Sequence, residues 1–90
     1  LNWSHGFVVR ALKLQNNATI PEHIRFEEEV VFVQQGQIEI TVDSETLLLA
    51  KGDTFTTPIG AVRKFKQKGQ GDCILYITRR NDHPKAPKFI

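Results

Sequence analysis

The sequence predicts an all-β protein, folded as an antiparallel sandwich or a closed barrel. Short runs rich in β-branched and aromatic residues recur along the 90 residues, and turn-forming residues separate them at close intervals. Apolar and polar residues alternate cleanly over residues 37–42, which is typical of a strand with one buried face. Helix signal is confined to the glutamates at positions 27–29, and the valine-rich run after them favours a strand.

The first four predicted strands cover residues 7–14, 29–35, 37–42 and 45–50. The first shows loose alternation and is followed by an Asn16-Asn17 turn signal. The second is dense in valine, and Gly36 turns the chain into the third. An Asp43-Ser44 hairpin then leads into the fourth strand, which is rich in leucine.

The remaining predicted strands cover residues 54–57, 61–68 and 73–78. A turn at Gly52 precedes the fifth strand, and Pro58 and Gly60 end it. The sixth strand alternates again and stops in the glycine-rich turn at residues 69–72. Residues 80–90 are predicted to form a polar tail with two prolines and an apolar end, which is either a strap over the barrel or a linker.

Size and composition predict one domain that spans residues 1–90. Twelve basic and 10 acidic residues leave a net charge of +2, so we expect neither nucleic acid nor a membrane as a partner. The N-terminal residues show neither the basic start nor the apolar core of a signal peptide. The single cysteine, Cys73, lies in a strand-like run and is interpreted as a buried thiol, which fits a reduced, cytoplasmic setting.

The strand at residues 29–35 is apolar on both faces. Glu29, Val31 and Val33 share one face, and Val30 and Phe32 share the other. A strand of this kind must be covered on both sides, and we therefore expect a homodimer. In the alternative, the tail or the N-terminal segment covers Val30 and Phe32.

The two faces of the strand at residues 61–68 differ in composition. Arg63, Phe65 and Gln67 share one face, and three lysines at positions 64, 66 and 68 share the other. If Phe65 points inward, Arg63 and Gln67 do so too. The lysine row is then interpreted as a solvated outer face that resists aggregation, rather than as a nucleic-acid surface.

The spacing of histidine, carboxylate and glycine in the first half resembles that of the cupin family. The first motif of that family is His, any residue, His, three or four residues, Glu, six residues, Gly. Here His23, Glu29 and Gly36 match it, and Arg25 stands at the second histidine. The resemblance covers residues 20–78 and implies a double-stranded β-helix, or jelly-roll, barrel.

The second cupin motif is matched in its glycine and proline skeleton. The family pattern is Gly, five residues, Pro, any residue, Gly, two residues, His, three residues, Asn. Gly52, Pro58 and Gly60 occupy the skeleton positions, whereas Arg63 and Gln67 replace the histidine and the asparagine.

The resemblance also implies which residues would bind a metal, and two of the four are arginines here. His23 and Glu29 remain, which is fewer than the three protein ligands that usually hold a catalytic transition metal. Arginine cannot lose its proton to become a ligand. A guanidinium about 5 Å from a divalent cation is repelled by about 6–7 kcal/mol at an effective dielectric near 20. We therefore expect no metal cofactor.

The candidate ligand-binding residues are His23, Arg25, Glu29, Arg63 and Gln67. In one interpretation, Glu29 forms an internal ion pair with Arg25 or Arg63 that holds the barrel mouth together. In the other, the arginines bind an anionic small molecule, a carboxylate or a phosphate, through paired hydrogen bonds. His23 is either a polar rim residue or an acid or base.

Three functions stay open from the sequence. The first is a domain that binds a small, anionic molecule without turning it over. The second is an enzyme of the dioxygenase, isomerase or epimerase type that the resemblance implies, in which a metal-free route needs a base, with His23 as the first candidate and Tyr76 as the second. The third is a dimerisation or assembly domain. No residue is assigned as catalytic, and the fold alone does not decide among the three.

Overall fold

Two antiparallel sheets face each other in the computed structural model, which describes residues 7–80 and 87–90. The all-β prediction is confirmed, and the described residues contain no helix. The nine strands are β1 (Phe7–Leu14), β2 (Thr19–Ile24), β3 (Glu29–Gln35), β4 (Gln37–Val42), β5 (Glu45–Ala50), β6 (Thr54–Thr57), β7 (Val62–Lys68), β8 (Cys73–Arg80) and β9 (Lys88–Phe89). Among the described residues, no helix has the length and hydropathy of a membrane span.

The strand order is that of a jelly roll. One sheet has four strands in the order β1-β8-β3-β6, and the other has five in the order β5-β4-β7-β2-β9. Strands that are consecutive in the chain pair only in the hairpin of β4 and β5, so most pairs join distant parts of the chain. The predicted jelly-roll barrel is therefore confirmed.

Sequence reasoning missed β2 and β9. Pro21 and Glu22 interrupt the apolar pattern of β2, and its pairing with β7 shifts register between Ile20 and His23. The short β9 pairs with β2, with Phe89 opposite His23. The last residues described are therefore attached to an edge of the five-stranded sheet, while the middle of the predicted tail at residues 80–90 lies outside the described residues.

The space between the sheets is filled by apolar side chains. Alternate residues of β3, β4, β7 and β8 point into it, as the strand periodicity predicts. Its buried members are Val31, Val33, Ile38, Ile40, Leu49, Phe65, Cys73, Leu75 and Ile77. The barrel interior is thus a packed core over most of its length.

One end of the core is polar. Register places Arg79, Glu29 and Thr57 in one row across the four-stranded sheet. It places His23 and Arg63 in the facing row of the five-stranded sheet. The two rows meet above the apolar core, and we call this end the barrel mouth.

The inward orientation of Phe65 is confirmed, and Arg63 and Gln67 point inward with it. The three lysines of β7 lie on the opposite, partly exposed face. Because β7 is a central strand, the lysine row occupies the middle of an outer face and not a sheet edge.

Candidate functional site

Glu29 is the centre of the barrel mouth. The side chain is 3% exposed, and β3 aims it inward between β6 and β8. Its Oε1 accepts a hydrogen bond from Arg63 Nη1 at 3.2 Å, and its Oε2 accepts one from Arg79 Nε at 3.1 Å. The carboxylate therefore joins the two sheets through its charge-assisted hydrogen bond with Arg63, and it links β3 to β8 of its own sheet through its bond with Arg79.

All three side-chain nitrogens of Arg63 donate hydrogen bonds within the protein. Its side chain is completely buried. Besides the bond to Glu29, Nη2 donates to the carbonyl of Pro58 at 2.6 Å, and Nε donates to the carbonyl of Ala61 at 3.3 Å. Burial lowers the pKa of Arg63, and the neighbouring Glu29 opposes that effect. The internal ion pair considered from the sequence is therefore present, and each of the three nitrogens of this guanidinium has a hydrogen-bond acceptor within the protein.

Arg25 stands beside the same carboxylate without a hydrogen bond to it. Its Nε lies 4.0 Å from Glu29 Oε2, is buried, and has no hydrogen-bond partner. Burial lowers the pKa of Arg25, and the charge of Arg79 lowers it further. A buried cationic donor without a partner is costly, and Arg25 thus keeps unused binding capacity at the barrel mouth.

His23 borders the same region from β2. Its Nδ1 lies 2.9 Å from the carbonyl oxygen of Pro21. A carbonyl only accepts, so Nδ1 carries the proton of this hydrogen bond, and Nε2 is the acceptor in the neutral ring. The ring also packs against Phe65 at 6.1 Å and Phe89 at 5.4 Å between centroids. The imidazole is therefore held in one orientation.

These side chains surround an inter-sheet cleft of about 160 Å³. Its polar rim consists of Arg10, His23, Arg25, Glu29 and Arg79. Its apolar floor consists of Leu12, Ile20, Phe65 and Ile77. Three of the five residues predicted from the sequence therefore line the cleft, a fourth, Arg63, bonds to Glu29 beside it, and the structure adds two arginines.

Arg10 and Arg79 were missed, although the sequence holds a signal for each. In β8, Arg79 continues the inward alternation of Leu75 and Ile77, but the predicted strand ended at residue 78. In β1, Arg10 precedes Leu12 on the inward side. If the inward alternation is followed along the whole of β1 and β8, it places both arginines at the barrel mouth.

Gln67 does not join the other predicted site residues. It lies four residues beyond Arg63 on an extended strand, roughly 13 Å away at about 3.3 Å per residue. Its Oε1 accepts from the backbone N–H of Asn17 at 2.6 Å, and its Nε2 donates to the carbonyl of Gly71 at 2.6 Å. Its amide therefore connects two loops at the far end of the barrel.

The residues at the mouth do not fit a metal ion. Both oxygens of Glu29 already accept hydrogen bonds from guanidinium groups, and His23 and Glu29 are the remaining ligand types of the family motif. Within residues 7–80 and 87–90, no group of three or more His, Cys, Asp or Glu side chains is arranged to hold a metal. His5 and His83 lie outside the described residues.

Tyr76 lies on the wrong side for a role at the mouth. The metal-free enzyme route considered from the sequence names it as a second candidate base and leaves its orientation open. In the structure it points outward from β8, is 39% exposed, and stacks on Phe32. That part of the enzyme hypothesis is wrong, because the alternation of β8 turns Leu75 and Ile77 inward instead.

Comparison with known proteins supports the family resemblance. The family model described as "Cupin domain" matches residues 11–78. A search of curated proteins returned no match. Among solved structures, the chain is similar to the Schizosaccharomyces pombe Cnp3 cupin domain, with a TM-score of 0.81 and 23% identity over 89% of this chain and 59% of that one.

Two further solved structures show the same fold. The polyketide cyclase RemF from Streptomyces resistomycificus has a TM-score of 0.85 and 15% identity over 99% of this chain and 63% of its own. An RmlC-like cupin from Shewanella frigidimarina has a TM-score of 0.78 and 20% identity over 88% and 69%. The chain thus spans between 59% and 69% of the length of these three structures. At such identities the likeness shows the fold and not the activity.

Proposed function

The chain belongs to the cupin family, and we propose that this domain is an assembly module that forms a homodimer through the outer face of its four-stranded sheet. We call this surface the apolar face. It consists of the outward residues of β1, β8, β3 and β6: Phe7, Val9, Ala11, Lys13, Ile74, Tyr76, Thr78, Arg80, Val30, Phe32, Thr54 and Thr56.

Large apolar side chains lie together on this face. Register places Val30 beside Thr78, which in turn lies beside Val9. Phe32 lies beside Tyr76, and their rings stack nearly parallel at 6.2 Å. Val9 is 65% exposed in the single chain, and Val30 and Phe32 are each more than a third exposed. Apolar groups gathered in this way are typical of a surface that another protein covers.

The outer face of the five-stranded sheet serves for comparison. The difference in charge between the two outer faces is the main support for the proposal. Across β4 and β7, the five-stranded sheet presents Glu39 and a row of three lysines, and Lys68 pairs with Glu39 at 3.5 Å. On the apolar face, by contrast, the described charged residues are Lys13 and Arg80, which stand at opposite ends of β1 and β8. The chain therefore keeps charge on one outer face and removes it from the centre of the other.

A second copy of the chain is the occupant that best fits this face. Because the centre of the face is uncharged, two copies with a net charge of +2 meet there with little repulsion. The sheet has four strands about 4.8 Å apart, which gives a width of roughly 19 Å, and strands of about seven residues at about 3.3 Å per residue give a length of roughly 23 Å. Two such faces bury roughly 900 Å² in projection, which is below the roughly 1,200 Å² of stable specific interfaces and in the range of weak, transient ones, so we expect dissociation in the micromolar range.

A pair of matched variants tests the dimer. Phe32→Glu places a charge at the centre of the apolar face, whereas Leu48→Glu places the same charge on the other outer face, at a side chain that is 60% exposed. In size-exclusion chromatography with light scattering, we expect Phe32→Glu to be monomeric and Leu48→Glu to dimerise like the unmodified chain. Tyr76→Thr keeps a strand-forming residue and is expected to weaken the dimer without unfolding it. A dimer that all three variants leave intact would refute this interface.

Small-molecule binding at the barrel mouth is a second candidate function. The observation that favours it is the buried Arg25 Nε without a partner, next to a cleft rimmed by further arginines. The expected ligand is anionic. A melting temperature that rises with ligand concentration across a panel of small acids supports binding, and an unchanged temperature across the whole panel counts against it.

A further inference from the structure

Positive charge exceeds negative charge at the barrel mouth. Arg25, Arg63 and Arg79 all lie within 4.0 Å of the Glu29 carboxylate. Arg10 lines the same cleft and is close enough to lower the pKa of Arg25. The other carboxylate that acts on Arg25 is Glu27, whose charge opposes that lowering. Asp43 also acts on Arg63, so four guanidinium groups face three carboxylates.

The hydrogen bonds of Glu29 leave the surplus on specific groups. Each of its oxygens accepts one arginine, Arg63 at Oε1 and Arg79 at Oε2. Each nitrogen of Arg63 already donates within the protein, and this side chain is completely buried and does not line the cleft, so its remaining N–H groups are not available to a ligand there. Arg79 donates to the described residues only through Nε, and Arg25 Nε has no partner. The unused donors that line the cleft therefore belong to Arg25 and Arg79.

The cleft determines the size and the shape of what these donors can bind. A volume of about 160 Å³ is that of roughly five water molecules in the liquid and is well below the 300–1,000 Å³ of pockets for drug-sized ligands. The inner part of the cleft is apolar, because Phe65 and Ile77 lie two residues farther into the barrel than Arg63 and Arg79 on the same strands. A ligand that matches both parts is small, with an anionic group at one end and a hydrocarbon group at the other.

We infer that the inter-sheet cleft binds a small organic carboxylate, with its oxygens on Arg25 and Arg79 and its hydrocarbon part over Phe65 and Ile77. This inference deepens the second candidate function and depends on it. The bidentate geometry of a guanidinium suits a carboxylate, and Arg10 at the rim adds a further cation. Inorganic phosphate matches the charge of the rim but leaves the apolar floor uncovered.

The test is a titration of the ¹⁵N-labelled full chain with sodium propionate and, separately, with inorganic phosphate, followed by NMR. Propionate is expected to saturate below about 10 mM and to shift the amides of His23 and Ile77. Phosphate is expected to bind at least about tenfold more weakly, because it gains nothing from the apolar floor. Arg25→Gln is expected to weaken propionate binding by about tenfold or more.

Two further variants keep the result interpretable. Arg10→Gln removes an exposed cation at the rim, cannot disturb the core, and is expected to weaken propionate binding severalfold. Lys66→Gln removes the same charge from the outer face of β7 and is expected to leave binding unchanged. Equal losses in Lys66→Gln and Arg25→Gln would overturn the site, because they would show a response to net charge alone.

The outcomes separate this inference from the function on which it rests. If phosphate binds as tightly as propionate and depends on Arg25, the carboxylate assignment is overturned and anion binding at the mouth stands. If neither anion saturates, ligand binding by this cleft is overturned as well. Homodimer formation is measured independently, since the apolar face lies on the other side of the four-stranded sheet.

Discussion

Replacement of Glu29 by glutamine tests whether its carboxylate holds the two sheets together. The substitution keeps the shape of the side chain and removes its charge. Arg63 is completely buried and Arg79 nearly so, and both donate to this carboxylate. Without it, two guanidinium groups stay in a poorly solvated site with no anion between them.

The expected loss is large for a domain of this size. Breaking a buried ion pair by removal of one partner costs about 3–5 kcal/mol. A chain of 90 residues has a free energy of unfolding of roughly 5–13 kcal/mol, at about 0.05–0.15 kcal/mol per residue. Glu29→Gln therefore removes between about a quarter and all of the stability. At about 4–8 °C per kcal/mol, the melting temperature is expected to fall by at least about 12 °C.

The assay is urea denaturation followed by circular dichroism, with a matched control. Glu39→Gln makes the same chemical change in the half-exposed pair with Lys68 and is expected to cost between about 0 and 1 kcal/mol. The midpoint for Glu29→Gln is expected to fall by more than about 1 M urea relative to this control. Equal midpoints for the two variants would refute the structural role of Glu29, because they would mean that the buried arginines need no carboxylate.

Three further outcomes are expected. Gly36→Ala is expected to destabilise the fold by about 2 kcal/mol or more, because φ is +81° and the new Cβ meets the backbone of Asp72. Gly52→Ala, at φ +92°, meets no atom and is expected to cost only about 1 kcal/mol. Equal losses for the two variants in chemical denaturation would contradict the packing at Gly36. Arg25→Met is expected to change the free energy of unfolding by less than about 1 kcal/mol, since it removes a buried donor that has no partner. A loss above about 2 kcal/mol in thermal unfolding would show instead that the contact of Arg25 with the Glu29 carboxylate stabilises the fold. Burial raises the pKa of the Cys73 thiol above its ordinary 9.0, so above that pH the folded state keeps a proton that the unfolded state loses. The free energy of unfolding is therefore expected to fall as pH rises above 9.0. Denaturation at a series of pH values measures this decrease, which is expected to be smaller in Cys73→Val.

The strands that could be predicted have an uninterrupted run of strand-forming residues, which is apolar on both faces in β3 and alternating in β7. In β7, the order of Arg63, Phe65 and Gln67 on one face predicts the observed burial of all three. β2 was missed, because Pro21 and Glu22 interrupt its pattern at the point where the pairing shifts register. Such a strand is stabilised by its neighbours in the sheet rather than by local propensity, which a single sequence does not reveal.

The candidate site was predictable in its position and less so in its composition. Motif spacing places His23, Arg25 and Glu29 at the mouth, where the structure brings them together. Arg79 was missed, since its contact with Glu29 joins residues 50 apart in the chain and depends on the pairing of β3 with β8. Spacing also grouped Gln67 with the mouth, because a motif gives the order of residues along a strand and not the distance between its ends.

The most direct test of the account is the mass of the unmodified chain in solution as a function of concentration. Sedimentation equilibrium is expected to show a mass that rises from 10.3 kDa toward twice that value as the concentration passes through the micromolar range. Phe32→Glu is expected to stay at the mass of one chain throughout. A mass that stays at 10.3 kDa for the unmodified chain up to several hundred micromolar would contradict the proposal that the apolar face is buried between two copies.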